Sequence, residues 1–380
     1  MIRSSKTWRG LAATAAAGLV LTACGTTDET PNAGDECNFK IAAMGALSGA
    51  NASIVIPSVD GAELALNQWE SADCKVELVR HDTEGDPAKA TPIATQIVGD
   101  DSYIGVIGGA FSGETRATKG IYNGVGLTMI SQSATATDLS LEDKVPVFHR
   151  IVPYDDFQGQ AIAKYASDVF GGKKIFLVDN SEAYGEPLIA QVKKTLGDLV
   201  VGSDKTQVGQ TDFAPTINKI NQAKPDAIVY GGYIAEAAPL LKQIRDAGIE
   251  APFIGGDGLY GADWAGAVGA PGEGAIIVCP CAPIAEGDTF AADFEAEFGE
   301  APGAYAAEGY DVMNIFLDAL DDGARTRAEV EEFVDAYSAQ GLSKMLAFDE
   351  NGDVPEDQIS YWAYKTTGGA LVPDQEITLG

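Results

Sequence analysis

From about residue 38 onward, short apolar runs alternate with longer amphipathic stretches, and this alternation dominates the chain. The runs are rich in Ile, Val, Leu and Ala and are bounded by Gly, Asp or Ser, which is typical of buried strands. Between them, Asp86 and Pro87 supply an N-cap followed by proline in the first turn of a predicted helix. Apolar strands that alternate with helices predict an α/β protein with parallel sheets and helices on both faces.

The pattern forms two successive series and restarts after Arg150, which predicts two doubly wound lobes. The predicted strands are 39–44, 76–79, 106–109 and 127–130 in the first series and 174–178, 227–230, 253–254 and 275–278 in the second. The predicted helices are 61–69, one starting at 87, one passing through 121, then 155–170, 186–196, 212–220 and 236–247. A tail adds helices 290–298, 310–320 and 328–339 and strands 345–348 and 359–364. Periodicity alone leaves open whether this tail extends one lobe or is shared by both.

The start of the chain has the layout of a secretory signal. Its basic residues are Arg3, Lys6 and Arg9. An apolar core over 11–22 follows, which is shorter than the about 20 residues that cross a bilayer. The core ends in Leu-Thr-Ala-Cys at Cys24, and this ending resembles a bacterial lipobox. We therefore expect a signal peptide over 1–23, lipidation of Cys24 and a flexible tether over 24–37. The alternative is an ordinary secretory signal with a cysteine placed by chance.

The composition excludes some classes of partner. The chain has 380 residues, enough for two or three domains, and a net charge of −31 from 25 basic and 56 acidic residues. A basic footprint for nucleic acid is absent, and the acidity disfavours adhesion to an anionic lipid surface. We interpret the negative charge as a means of keeping the protein in solution.

Four cysteines remain beyond Cys24, an even number that suggests disulfides in an oxidising compartment. Of the three possible connectivities we favour Cys37–Cys74, because each of these residues lies just before a strand of the first βαβ unit. Cys279 and Cys281, separated by one proline, are compatible with a tight bridge, a metal pair or two free thiols. Their spacing and the presence of only two histidines in the chain argue against zinc, so we predict no metal site.

Several loops that follow predicted strands are candidate ligand contacts, because ligands of open α/β sheets lie beyond the carboxyl ends of strands. These loops are 108–115, 131–137, 184–186, 230–233 and 255–258. Each one taken alone is equally compatible with a loop that binds nothing. None matches a Walker A sequence or a Gly-x-Ser-x-Gly elbow, and no nucleophile–base motif is present, so neither an enzyme nor a cofactor is expected.

Taken together and in order, these stretches resemble one family. The matching residues are Gly-Ala-Leu-Ser-Gly at 45–49, Asp-Pro at 86–87, Ser-Gly-Glu-Thr at 112–115, Ser-Ala-Thr-Ala at 133–136, Tyr-Gly-Glu at 184–186, Tyr-Gly-Gly-Tyr at 230–233 and Gly-Asp-Gly at 256–258. With the lipobox, they resemble the lipid-anchored substrate-binding proteins of branched-chain amino acid ABC importers. The resemblance implies the type I periplasmic-binding-protein fold, in which three crossovers join two α/β lobes. It places lobe 1 at 38–152 plus 283–357 and lobe 2 at 153–282 plus 358–380.

The resemblance also implies roles for single residues. Ser112 and the Thr135 N–H would bind an α-carboxylate. The Thr135 hydroxyl, the Ser133 carbonyl and the Asp257 carboxylate would hold an α-ammonium. The remaining predicted ligand-binding residues are Phe111, Ala134, Tyr184 and Tyr233, with Ile54 near the side-chain pocket.

Two positions depart from the family pattern and leave the identity of the ligand undecided. Ile54 replaces a usual aromatic residue, and Asp257 replaces a glutamate that is one methylene longer. The implied function is capture of an amino acid by a monomer on the outer face of the membrane and delivery to an ABC permease. The alternatives are a short amide or organic acid as ligand, a sensing receptor with the same fold, and a structural surface lipoprotein.

Overall fold

The computed structural model describes residues 37–71, 73–168, 171, 173–284 and 287–379, so the predicted signal peptide and Cys24 lie outside the described residues. The strands are β1 (Cys37–Gly45), β2 (Cys74–Asp82), β3 (Tyr103–Ile107), β4 (Met129–Ser131), β5 (Phe148–Arg150), β6 (Ile175–Asp179), β7 (Val200–Lys205), β8 (Ala227–Gly231), β9 (Phe253–Gly256), β10 (Ile276–Cys279), β11 (Ser338–Gln340), β12 (Met345–Ala347), β13 (Tyr361–Thr367) and β14 (Ala370–Ile377). The helices are α1 (Ala52–Gln68), α2 (Pro87–Val98), α3 (Ser112–Asn123), α4 (Asp138–Leu141), α5 (Asp155–Asp168), α6 (Gly185–Leu196), α7 (Ala214–Ala223), α8 (Ile234–Asp246), α9 (Asp263–Val268), α10 (Thr289–Phe298), α11 (Ala306–Asp321) and α12 (Arg327–Asp335).

The first sheet has the strand order β2-β1-β3-β4-β5 and is parallel throughout. Asp86 accepts a hydrogen bond from the Ala88 N–H and begins α2, which confirms the predicted N-cap. The register of β1 and β2 places Cys37 opposite Cys74, and a disulfide joins the two residues. This bond ties the beginning of the described chain to the edge strand of the sheet.

The second sheet has the order β14-β13-β10-β9-β8-β6-β7 and is mixed rather than purely parallel. Strands β6 to β10 are parallel, whereas β13 and β14 from the tail pair antiparallel at one edge. Gly368 and Gly369 connect β13 to β14 with φ angles of 59° and 84°. Two successive positive φ angles are what a tight hairpin turn requires, so this pair of glycines permits the antiparallel edge.

The chain passes between the two sheets after β5, after β10 and again after β12. Helices α10 and α11 pack against α1, and α12 packs against β3, so this part of the tail covers the first sheet. The backbones of α1 and α11 are very close. A Cβ on Gly309 would lie 1.7 Å from the Ser58 carbonyl oxygen, and one on Gly61 would lie 2.0 Å from that of Ala306. The exact lobe boundaries given above stay a prediction.

Some sequence-based elements were wrong or missed. The helix expected over 328–339 ends at Asp335, because residues 338–340 form β11, which pairs antiparallel with β12. The helix expected over 155–170 is confirmed from Asp155 to Asp168, and 169 and 170 lie outside the described residues. Strand β7 was missed because it alternates half-buried and exposed positions at a sheet edge and lacks an apolar run. Among the described residues, no helix combines the length and apolar character that crossing a membrane needs.

Candidate functional site

A small cavity of about 10 Å³ lies where the carboxyl ends of strands from both sheets meet. Its lining residues come from segments that follow strands of both sheets, from α1 and from the residue before α11; they are Ile54, Ala110, Phe111, Ser112, Ser133, Thr135, Tyr184, Tyr233, Asp257, Gly258 and Tyr305. All but one of the residues predicted to bind ligand are therefore brought together. The exception is Ala134, which is 1 % exposed and is not among the lining residues. The individual roles of these residues stay predictions.

The loop after β3 presents Phe111 and Ser112 to the cavity, and Glu114 fixes its shape. The Glu114 carboxylate accepts hydrogen bonds from the Phe111 N–H at 3.0 Å and from the Thr83 hydroxyl at 2.5 Å. Complete burial raises the pKa of Glu114 to about 7. The Ser112 hydroxyl accepts from the Ala136 N–H at 3.1 Å, which ties this loop to the next one and leaves the hydroxyl proton available.

The loop after β4 presents Ser133 and Thr135, and serine hydroxyls order it from within. Ser131 donates to the Gly109 carbonyl at 2.8 Å and accepts from the Ala134 N–H at 2.9 Å. The Ser133 hydroxyl donates to the Ala110 carbonyl at 2.8 Å. Because the Ser133 hydroxyl already donates its proton, the loop offers a ligand mainly its backbone groups and the Thr135 side chain.

Arg150 holds the same loop from behind. Its guanidinium is fully buried, forms an ion pair with Asp353 and donates to the carbonyls of Ala134 and Ala136 at 3.2 and 2.8 Å. It also donates to the Ser140 hydroxyl. A buried guanidinium with this many partners is locked in place, so the loop backbone is preorganised.

Asp257, after β9, is the most heavily bonded group of the cavity. Its carboxylate accepts from the Gln158 amide at 2.6 Å, from the Tyr184 hydroxyl at 2.7 Å and from the Tyr305 hydroxyl. Burial raises the pKa of Asp257, and these three donors oppose that effect by stabilising the charged form. A Cβ on Gly256 would lie 2.2 Å from the Tyr184 hydroxyl, so glycine is needed there for the ring to reach Asp257.

Aromatic rings from the two sides meet over the cavity. Phe111, which follows a strand of the first sheet, contacts Tyr233 of the second sheet edge-on, with ring centroids 5.0 Å apart. Tyr233 in turn stacks on Tyr184 at 5.4 Å. Because these contacts bridge the two sides, the described conformation is a closed one.

Sequence reasoning missed three residues here: Asp155, Gln158 and Tyr305. Asp155 and Gln158 are spaced i, i+3 in the first turn of α5, a spacing that puts both on one helix face and was the available signal. Asp155 is 1 % exposed, and burial raises its pKa well above the ordinary range, reinforced by the charge of Asp257. Tyr305 comes from the tail, and no local pattern distinguishes it.

The chemistry offered by this cavity is polar recognition. Its lining contains hydroxyls, backbone groups, a carboxylate and apolar walls, but no histidine or cysteine. A group of potential metal ligands lies elsewhere, where Nε2 of buried His149 is 3.1 Å from Glu331 and 3.8 Å from Asp335. Cys279 and Cys281, also outside the lining, form a disulfide.

One family model and several known proteins match this chain over most of its length. The family model described as periplasmic binding protein matches residues 38–366. A leucine-, isoleucine-, valine-, threonine- and alanine-binding protein of Pseudomonas aeruginosa is 27 % identical over 326 residues, which cover 83 % of this chain and 87 % of that protein. The Leu/Ile/Val-binding protein of Escherichia coli K12 is 26 % identical over 342 residues, covering 88 % and 92 %.

Solved structures show the same fold. The leucine binding protein LivK of Thermotoga maritima superposes with a TM-score of 0.83 at 23 % identity, covering 89 % of this chain and 98 % of that one. LivJ of Streptococcus pneumoniae, solved in complex with isoleucine, gives a TM-score of 0.81 at 24 % identity, covering 88 % and 97 %.

Because Tyr305 donates a hydrogen bond to Asp257, removing the Tyr305 hydroxyl should change the pKa of Asp257. Tyr305→Phe removes a donor to the carboxylate, so the pKa of Asp257 should rise further and the group should stay neutral to higher pH. Carbon-detected NMR titration of the aspartate carboxyls would measure this shift. Tyr310→Phe is the control, because this tyrosine lies on α11 but bonds Gln68. An unchanged Asp257 titration in Tyr305→Phe would contradict the assignment.

Proposed function

We propose that this chain, which belongs to the periplasmic binding protein family, captures a free amino acid between two lobes and delivers it to the permease of an ABC importer. It is a binding protein rather than an enzyme, and its relatives are likewise named as binding proteins. The observation that carries the proposal is one cavity with hydroxyl and backbone groups on the first-sheet side and the Asp257 carboxylate on the other. Relatives named for binding leucine, isoleucine and valine support the class of ligand.

The polarity of the cavity suits a zwitterion, which needs donors at one end and acceptors at the other. The Ser112 hydroxyl, whose proton is free, and the N–H groups of Ser112 and Thr135 would receive the α-carboxylate. Asp257, the Ser133 carbonyl and the Thr135 hydroxyl would receive the α-ammonium by charge-assisted hydrogen bonds. Ile54 and Phe111 would contact an apolar side chain.

Closure of the lobes would complete this site. Phe111 and Tyr233 meet only when the two sides are together, and Tyr305 reaches Asp257 across the same gap. A ligand favours the closed form only to the extent that it binds that form better, which contacts from both sides achieve. The closed form, in this proposal, is what the permease recognises.

The carboxylate at 257 influences which ligand fits. Because aspartate is one methylene shorter than glutamate, its carboxylate lies deeper in its own lobe and leaves more room near the ammonium. Branched aliphatic amino acids are the first candidates, since Ile54 and Phe111 give the side-chain wall an apolar character. Short amides and organic acids are the alternatives to be tested.

Ligand-induced stabilisation tests this function. The purified chain, refolded free of carried-over ligand, would be heated with each amino acid and with short amides and organic acids. A ligand at 100 times its Kd should add about 2.7 kcal/mol to the free energy of unfolding. We expect leucine, isoleucine or valine to raise the melting temperature. A rise only with compounds that lack an ammonium, or no rise at all, would contradict the proposal.

Two variants test whether the ligand binds in the cavity. Asp257→Ala should weaken binding by about 100-fold or more, because an enclosed ammonium loses its charged partner. Asp263→Ala removes the same charge from an exposed position in α9 and should leave the affinity unchanged. Titration calorimetry would compare the two variants. Equal affinities would exclude Asp257 as the ammonium contact.

The protein is extracytoplasmic by family. We propose that a lipid on Cys24 anchors it to the outer face of the cell membrane, as the Leu-Thr-Ala-Cys sequence suggests. Cys24→Ser should move the protein from the membrane fraction to the soluble extracytoplasmic fraction. Mass spectrometry should show that the N-terminal peptide of this variant lacks the mass of the lipid. Cys37→Ser is the control, because this residue is held in a disulfide. Membrane retention of Cys24→Ser would contradict lipidation at this site.

A further inference from the structure

Glu114 is a buried carboxylate that lies behind the cavity loop without lining the cavity. It is the third residue of α3, it is fully buried, and it is not among the lining residues. Its carboxylate accepts from the Phe111 N–H at 3.0 Å and from the Thr83 hydroxyl at 2.5 Å. Phe111 and the following Ser112 both line the cavity, so Glu114 fixes the backbone of two lining residues from behind.

The Thr83 hydroxyl extends this support to the ring of Phe111. Its oxygen accepts from the Gly85 N–H at 3.0 Å, and its single proton is donated to Glu114. Gly85 has a φ angle of 74°, and a Cβ on it would lie 3.1 Å from two carbons of the Phe111 ring. Glu114 thus holds the Phe111 backbone directly and, through Thr83, the turn against which the Phe111 ring packs.

The hydrogen bonds around Glu114 suit the ionised carboxylate. The Gly109 carbonyl accepts from the hydroxyls of Thr115 and Ser131 at 2.9 and 2.8 Å. The Phe111 carbonyl accepts from the N–H and the hydroxyl of Thr115, each at 3.0 Å. Because a carbonyl oxygen has two lone pairs, neither of these neighbours has one left for a proton on Glu114. A protonated Glu114 would therefore turn away one of its present donors.

The ionisable groups around Glu114 do not supply it with a cation. Those that interact with it are Asp82 at the end of β2, Tyr122 of α3 and Tyr233 of the second sheet. The cations of α2 and α3 are bonded elsewhere: Lys89 to Glu84, Arg116 to Asp138, and Lys119 to the Leu139 carbonyl. Burial therefore raises the pKa of Glu114 to about 7 in spite of its donors, so its charge changes near neutral pH.

We propose that Glu114 is a positioning residue whose ionised form sets the Phe111–Ser112 segment for the ligand, and that proton uptake by Glu114 weakens ligand binding. The inference rests on the proposed function, in which Ser112 receives the α-carboxylate and Phe111 meets Tyr233 on closure. The charge of Glu114 also repels a ligand carboxylate, which opposes this effect. That repulsion acts without direct contact and is offset by the ligand ammonium, whereas the hydrogen bonds to Phe111 and Thr83 are direct and charge-assisted.

Stability should respond to the same proton in the opposite sense. Because the folded chain raises the pKa of Glu114 above that of an unfolded chain, the folded state binds this proton more tightly. Below about pH 7 this residue therefore adds to the free energy of unfolding as the pH falls. A loss of affinity on mild acidification would then reflect the position of the loop and not partial unfolding caused by Glu114.

The test measures leucine affinity by calorimetry in the intact chain between pH 8 and pH 6. We expect the wild-type affinity to fall about fivefold to tenfold, as the ionised fraction of Glu114 falls. Glu114→Gln, which has the shape of the protonated acid, should bind at pH 8 about as weakly as the wild type at pH 6. Its affinity should change less than about twofold over the range.

Glu329→Gln is the matched control. Glu329 is the third residue of α12 and accepts from the Thr326 N–H before that helix, as Glu114 does from Phe111. It is exposed and is not among the lining residues, so this variant should follow the wild-type pH profile. Calorimetry in two buffers of different ionisation enthalpy gives a second readout. At pH 7 the wild type should release more protons on binding leucine than Glu114→Gln does.

A merely structural role of Glu114 would give a different pattern. Glu114→Gln would then bind more weakly at every pH, with a profile parallel to that of the wild type, and would melt at a lower temperature without ligand. That pattern would overturn the inference, as would a wild-type affinity that rises toward pH 6. We expect ligand-free Glu114→Gln to melt at pH 8 at the wild-type temperature or above, because a buried charge is removed.

The inference and the proposed function fail in different ways. If the wild type binds no amino acid at pH 8, the proposed function is wrong and the inference falls with it. In ligand-free protein labelled with 15N-phenylalanine, the Phe111 amide signal should titrate near pH 7 in the wild type and not in Glu114→Gln. Leucine binding together with a wild-type Phe111 amide that does not respond to pH would overturn the Glu114 inference alone.

Discussion

The buried carboxylate of Asp257 is the group on which the arrangement of the cavity depends. A carboxylate removed from water must be supplied with donors, and here they come from distant parts of the sequence: Gln158 at the start of α5, Tyr184 before α6 and Tyr305 before α11. Tyr305 is carried by the tail, whose helix α11 is fixed against α1 through close backbone contacts at Gly61 and Gly309. Asp257, at the end of β9 in the second sheet, is thus connected through Tyr305 to the helices α11 and α1 that cover the first sheet.

The negative charge of the buried carboxylates explains why ligand binding would favour closure of the two sides. Burial raises the pKa of Asp257 and of Asp155, because the charged form of each carboxyl is disfavoured away from water. The three neutral donors compensate Asp257 in part, and the Thr135 hydroxyl does the same for Asp155. A ligand ammonium would supply the missing positive charge, so closure and binding are coupled in the proposed function.

Much of this arrangement could be predicted from sequence because it is local. Parallel strands of one sheet place their carboxyl ends at one edge, so the loops that contain Ser112 and Thr135 were expected to meet. That Asp257, which follows a strand of the second sheet, joins them was implied by the family resemblance. Tyr305 and the antiparallel edge strand β14 could not be found this way, since their positions depend on how the tail returns across both sheets. Asp155 was identified only as a helix start, and its burial beside Thr135 could be seen only in the structure.

A high-resolution crystal structure of the chain with leucine tests the central claim most directly. The account predicts the ligand nitrogen about 3 Å from an Asp257 oxygen and from the Thr135 hydroxyl, with the ligand carboxylate at Ser112. Leucine in the reverse orientation, with its carboxylate toward Asp257, or leucine bound outside the cavity, would contradict it.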